Sequence, residues 1–151
     1  MGSMIFRSGT KLFASASIGM ILIFFLHTWA HFNPLSPNKA DSRLGAVFQA
    51  MRDYLFELGP GPKPSVLDFF QGMSLSMGLF FAYVGCGNLI VLAVAGDVPG
   101  LIPRLALANA LFLGSIIGVM FYFKLAPVVM STVEILFLLA FFLNRGGRPQ
   151  P

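Results

Sequence analysis

VVMSTVEILFLLAFFL, residues Val128–Leu143, decides the fold. Apart from Ser131, Thr132 and Glu134, every side chain in it is apolar. With Pro127 ahead of it, the run reaches the length at which a helix crosses a bilayer, about 17 residues or more. A segment that crosses lipid must satisfy its backbone polar groups internally, so it is helical. The exception inside the run is Glu134. A carboxylate in the middle of a span costs about 3 kcal/mol or more unless it is neutral, paired or wet, which marks Glu134 as a candidate functional residue.

Three further runs of spanning length precede this one: Leu12–Ala30, Phe69–Ala95 and Leu105–Phe123. The chain is 56% hydrophobic and 11% charged, and its mean hydropathy is +0.80. That is the composition of a membrane protein and not of a soluble domain. The expected fold is all-α: a single integral membrane domain over residues 1–151, built as a transmembrane four-helix bundle. Arg7 and Lys11 ahead of the first run resemble the start of a signal peptide. That run is longer than a typical signal core and no small-x-small cleavage site follows, so it is read as a retained span. Met1-Gly2-Ser3-Met4 has the look of a cloning remnant and is set aside from the fold.

The long segment between the first two spans contains Ala40–Leu58, where Leu44, Val47, Phe48, Met51 and Leu55 recur at helical spacing. An amphipathic helix is expected there, lying at the interface or over the mouth of the bundle. Gly59-Pro60-Gly61-Pro62-Lys63-Pro64 then breaks the helix. Ser65-Val66-Leu67-Asp68 reads as a capping box for the second span. Pro103 and Pro127 suit first turns, and Gly96 and Gly146-Gly147 suit helix stops. The short Lys124-Leu125-Ala126 link makes the last two spans an antiparallel hairpin. Ser15-xxx-Gly19, Gly72-xxx-Ser76 and Gly114-xxx-Gly118 fit the small-residue pattern of close helix contact, and they allow a homo-oligomer.

With alternating directions, His27, His31, Asp68, Gln71 and Tyr122 fall toward one side of the membrane. Glu134 lies roughly 10 Å in from that side. Glu134, His27 and Asp68 are the candidate catalytic residues. Gln71, His31, Tyr122, Arg52, Asp53 and Tyr54 are candidate ligand contacts, and Asn109, toward the opposite side, is a further one. Asp68 is equally explained as a cap, Arg52-Asp53-Tyr54 as a solvated helix face, and His27 and His31 as interfacial side chains beside Trp29. The two histidines are one helical turn apart, which suits a metal pair, but no second pair at diagnostic spacing accompanies them. No metal and no cofactor is assigned.

Phosphate-binding glycine loops, CxxC, HExxH and a soluble-type serine triad are all missing from the sequence. Cys86, the sole cysteine, permits no intrachain disulfide. The net charge is +4, but the basic residues are scattered, which argues against nucleic-acid binding. Lys and Arg divide evenly between the two sides of the membrane. The terminal side carries more of them close to span ends, so both termini are expected in the cytoplasm.

Met51-Arg52-Asp53-Tyr54, followed by Asp68-xx-Gln71-Gly72-xx-Leu75-Ser76, resembles a group of small four-span bacterial membrane proteins. The likeness runs from Phe13 to about Asn88. It implies a bacterial inner-membrane location and brings no activity with it. More coarsely, the architecture is similar to the four-helix bundles of the sterol-isomerase and DoxX types. In the former, acidic and histidine side chains inside the bundle move protons on a hydrophobic ligand; no motif aligns, so none of their residues is carried over. The expected function is an intramembrane pocket for a lipid-like small molecule, with isomerase- or cyclase-type proton transfer if it is an enzyme. The alternatives are a homo-oligomeric transporter or channel subunit, and a haem- or metal-binding redox subunit. Expected partners are membrane lipids and a hydrophobic small molecule.

Overall fold

The structure is a computed structural model that describes residues 2–32, 42–56, 60–61, 63–122 and 128–145, without the side chains of 2–7, 30–32 and 42–44. Among the described residues five helices follow one another: α1 (Gly2–Phe32), α2 (Ser42–Asp53), α3 (Val66–Ala95), α4 (Leu101–Tyr122) and α5 (Val128–Arg145). They account for 89% of the described residues, so the fold class is all-α, as expected. Among the described residues, four stretches are long and apolar enough to cross a bilayer: Ser8–Trp29, Val66–Ala95, Leu101–Tyr122 and Val128–Arg145. The protein is an integral, multi-pass membrane protein.

Several helix ends differ from expectation, each for a local reason. α1 starts at Gly2, so Gly2, Ser3 and Met4 of the stretch set aside as a remnant are continuous with the first span; no proline follows to break it. α4 starts at Leu101 rather than Leu105, because a proline in the first turn, here Pro103, gives up an N–H that has no helical acceptor anyway. The chain reaches α4 through a turn in which Val98 N donates to Ala95 O (3.1 Å) and Leu101 N to Val98 O (3.2 Å). Gly100 adopts a φ of 77° there, a conformation that favours glycine. α2 stops at Asp53 and not near residue 58. Beyond it the chain pairs with itself: Leu55 and Ser65 form an isolated antiparallel bridge, with Phe56 N to Pro64 O at 2.9 Å and Val66 N to Tyr54 O at 3.0 Å. Gly146-Gly147, Pro127 and the Lys124-Leu125-Ala126 link lie outside the described residues.

The chain forms two compact units, Met1–Ile23 with Phe81–Pro151, and Phe24–Phe80. In the first, the opening half of α1 and the closing half of α3 join α4 and α5 in a four-helix bundle. Its core takes Phe13, Ala16 and Met20 from α1, Phe81 from α3, Ile102, Ala106, Ala110 and Leu113 from α4, and Val133, Phe137 and Ala140 from α5. The spacings are those of single helix faces. Phe13 and Phe137 meet edge to face at 5.7 Å. Small residues allow the helices to close up. A Cβ on Gly19 would stand 2.7 Å from Val133 Cγ2, and one on Gly85 only 2.6 Å from the Ser17 carbonyl oxygen.

In the second unit, α2, the bridge and the start of α3 are held by backbone pairing and an aromatic row. Tyr54 and Phe56 stack edge to face at 5.9 Å, and Phe56 and Phe69 at 5.6 Å.

Gly85 and Gly87 provide a paired test of the packing. Gly85→Ala pushes a methyl onto backbone and should destabilise the bundle by about 1–3 kcal/mol, the usual cost of overpacking. Gly87 has nothing within 4 Å of an added Cβ, so Gly87→Ala should be neutral or stabilising by about 0.5–1 kcal/mol through helix propensity. Reversible unfolding in mixed micelles measures both.

Candidate functional site

Glu134 lies in the second turn of α5, on the side that meets α4. A Cβ placed on Gly114 would stand 2.7 Å from Glu134 Oε1 and 3.7 Å from Cδ. The carboxyl therefore rests against the backbone of α4 at the one kind of residue that leaves room for it. It is half-buried. The hydroxyls of Ser115 and Thr132 are engaged elsewhere. Ser115 Oγ donates to Leu111 O (2.9 Å) and Thr132 Oγ1 to Val128 O (3.0 Å), each on its own helix. No hydrogen bond or ion pair joins Glu134 to another described residue. A carboxyl kept only to tie helices together would have such a partner, because an unpaired polar group in an apolar span is costly.

The same unit holds a buried amide pair. Asn109 Nδ2 donates to Asn88 Oδ1 (3.2 Å) and to Leu105 O (2.8 Å). The Leu105 carbonyl fixes which atom of Asn109 is nitrogen, and Asn109 then fixes Asn88. Asn88 Nδ2 is left buried with no hydrogen-bond partner among the described residues. Asn109 thus has a structural role between α3 and α4, in addition to its standing as a candidate ligand contact. Tyr122, the last residue of α4, is 82% exposed.

His27, Asp68, Gln71, Arg52, Asp53 and Tyr54 belong to the second unit. His27 is half-buried, and its Nε2 lies 2.6 Å from Ser74 Oγ and 3.0 Å from Ser74 O. Gly78, one turn along α3 from Ser74, makes space for the ring: an added Cβ would stand 3.3 Å from His27 Cδ2. The pairing of His27 with Ser74, and the room that Gly78 leaves for the ring, are what sequence reasoning missed. The small pair facing α1 is Ser74-xxx-Gly78. Gly72-xxx-Ser76 is exposed, with open space around Gly72. His31 lies in α1, and its side chain falls outside the described set.

Asp68 forms the expected capping box. Ser65 N donates to Asp68 Oδ2 (2.9 Å), Ser65 Oγ to the same oxygen (2.7 Å), and Asp68 N to Ser65 Oγ (3.1 Å). Gln71 and Arg52 are exposed. Asp53 Oδ1 accepts from Gln49 Nε2 (2.9 Å), and Tyr54 is 64% exposed. Among the described residues, no three His, Cys, Asp or Glu side chains are grouped to hold a metal ion.

Comparison of the chain with protein-family models, with curated proteins and with solved structures gives no match.

The seat of Glu134 is open to a direct test. Dicyclohexylcarbodiimide partitions into lipid and captures protonated carboxyls. Gly114→Ala should displace the carboxyl and change the rate at which Glu134 is modified several-fold. Gly118→Ala, with nothing within 4 Å of its added Cβ, should leave the rate unchanged. Equal rates in both variants would mean that Gly114 does not seat the group.

Proposed function

We propose that the protein binds a hydrophobic, lipid-like small molecule within the membrane. Glu134 meets the polar or cationic end of that molecule, or exchanges a proton with it. The observation that carries this reading is the state of the carboxyl. It sits in an apolar span, fitted against Gly114, with no partner among the described residues. A ligand group that neutralises or hydrogen-bonds it would remove the cost of keeping it there. Should the site be catalytic, the reaction is acid–base chemistry of the isomerase or cyclase kind, because a lone carboxyl can take up and return a proton.

A second reading, a homo-oligomeric transporter or channel subunit, draws on Gly118. It lies one turn beyond Gly114 on α4 and is exposed, with open space at its Cα, so a helix of another copy can approach there. In either reading the protein belongs to a bacterial inner membrane with both termini in the cytoplasm. Arg7, Lys11, Arg104 and Arg145 near span ends support that orientation.

Native mass spectrometry in mild detergent, with extraction of bound lipid, separates the readings. Wild type should carry one defined small molecule that Glu134→Gln loses. If the variant holds the same molecule in the same amount, the carboxyl is not its anchor and the first reading falls. A strictly monomeric protein in lipid as well as detergent would remove the second. For the orientation, a cysteine introduced at Arg145 should react with a membrane-impermeant maleimide in inverted vesicles and not in right-side-out ones.

A further inference from the structure

The second unit contains a serine hydroxyl and an imidazole in the relation that nucleophilic catalysis requires. His27 Nε2 stands 2.6 Å from Ser74 Oγ, within reach of a general base for the proton it removes. Ser17, Ser76 and Ser115 bond their own helices, to Phe13 O, Gly72 O and Leu111 O at 2.8, 2.8 and 2.9 Å. Among the described residues, Ser74 is a serine whose hydroxyl lies within reach of an imidazole.

The depth of the pair indicates a substrate. α3 is 30 residues long, about 45 Å at 1.5 Å per residue, whereas the hydrocarbon core is about 30 Å thick. Standing along the membrane normal, such a helix leaves roughly ten residues outside it. Asp68 and Gln71, both exposed, are the polar residues of its first turns. With the excess at that end, Ser74 comes to the border between headgroups and hydrocarbon. On α1, Trp29 is two residues beyond His27 and 69% exposed, in keeping with an aromatic side chain at the same border. Exposed Phe70, Met73 and Met77 surround Ser74 along α3, giving an apolar bed for an acyl chain. Ester linkages of amphiphiles lie at this level, where water also reaches.

We propose that Ser74 and His27 form a nucleophile–base dyad that acts on carboxylic esters of lipid-like amphiphiles, with chemistry that does not call on Glu134. In the reactive tautomer the ring proton is on Nδ1, and Nε2 accepts the Ser74 Oγ–H; in the other, Nε2–H donates to the Ser74 carbonyl oxygen. Oγ bonds to the ester carbonyl carbon while its proton passes to Nε2. The Ser74 carbonyl oxygen, 3.0 Å from Nε2, accepts a hydrogen bond from the imidazolium so formed. Collapse of the tetrahedral adduct breaks the bond from that carbon to the alkoxy oxygen, which leaves with the proton from Nε2. The acyl group stays on Oγ. A water then bonds to the acyl carbon, giving a proton to Nε2. Release of the carboxylic acid returns that proton to Oγ. Gly78 holds the ring in place by leaving room for it.

Full-length protein in detergent, treated with an alkyl fluorophosphonate and mapped by mass spectrometry, tests this. Ser74 should carry the label in wild type and Ser74→Ala should lose it. His27→Gln should slow labelling by roughly a hundredfold, the scale of general-base assistance. Absence of label on Ser74 in folded wild type would overturn the proposal, as would unchanged labelling in His27→Gln. If His27→Gln fails to fold, wild type decides alone: Ser74 must be labelled far more than Ser76 or Ser115 in the same molecule, and equal labelling rejects the dyad.

Discussion

Helices in lipid gain little from hiding apolar side chains, because the solvent is as apolar as they are, so their association depends on how closely their backbones approach. In the bundle unit that approach is set at a few glycines. Gly85 brings α3 onto the Ser17 carbonyl of α1, and Gly19 brings α1 onto Val133 of α5. Gly114 does the same for α4 and α5, except that the group it admits is the carboxyl of Glu134. The core phenylalanines and alanines fill what these contacts leave. The large apolar side chains on the outside are the surface that lipid requires.

Polar groups in the spans meet the same constraint in three ways. Ser17, Ser115, Thr132 and Asn144 return a hydrogen bond to a carbonyl one turn back on their own helix. Asn88 with Asn109, and His27 with Ser74, join two helices. Glu134 does neither with any described residue, and Asn88 Nδ2 and Asn144 Oδ1 are left over from groups otherwise engaged. The first kind costs little and says little about function. The second kind rigidifies. The third kind is where a bound molecule or water has something to gain.

The class of the fold was legible because four apolar runs of spanning length leave no other choice. The start of α3 was legible too, since Ser65 and Asp68 are close in sequence and their cap is a local matter. The end of α2 was not: it is decided by pairing between Leu55 and Ser65, across a Gly/Pro sequence that carries no helical period. The partner of His27 was hidden for a different reason. Ser74 and Ser76 are two residues apart, so they point roughly 200° apart around the helix. Which of them faces α1 depends on the rotation of α3, and only packing fixes that. Glu134 stood out as an anomaly in its run, but its seat on Gly114 joins residues of two different helices and depends on how they pack.

The bridge between Leu55 and Ser65 bears on biogenesis. Its backbone bonds join Phe56 to Pro64 and Tyr54 to Val66, no more than about a dozen positions apart, and Ser65 serves both the bridge and the cap of α3. Local contacts of this kind form early, because little loop entropy opposes them. The costly step in making a helix is the first turn, and here that turn is templated by groups that need no lipid. The second span can thus meet the bilayer with its leading end already wound, its register set from the aqueous side.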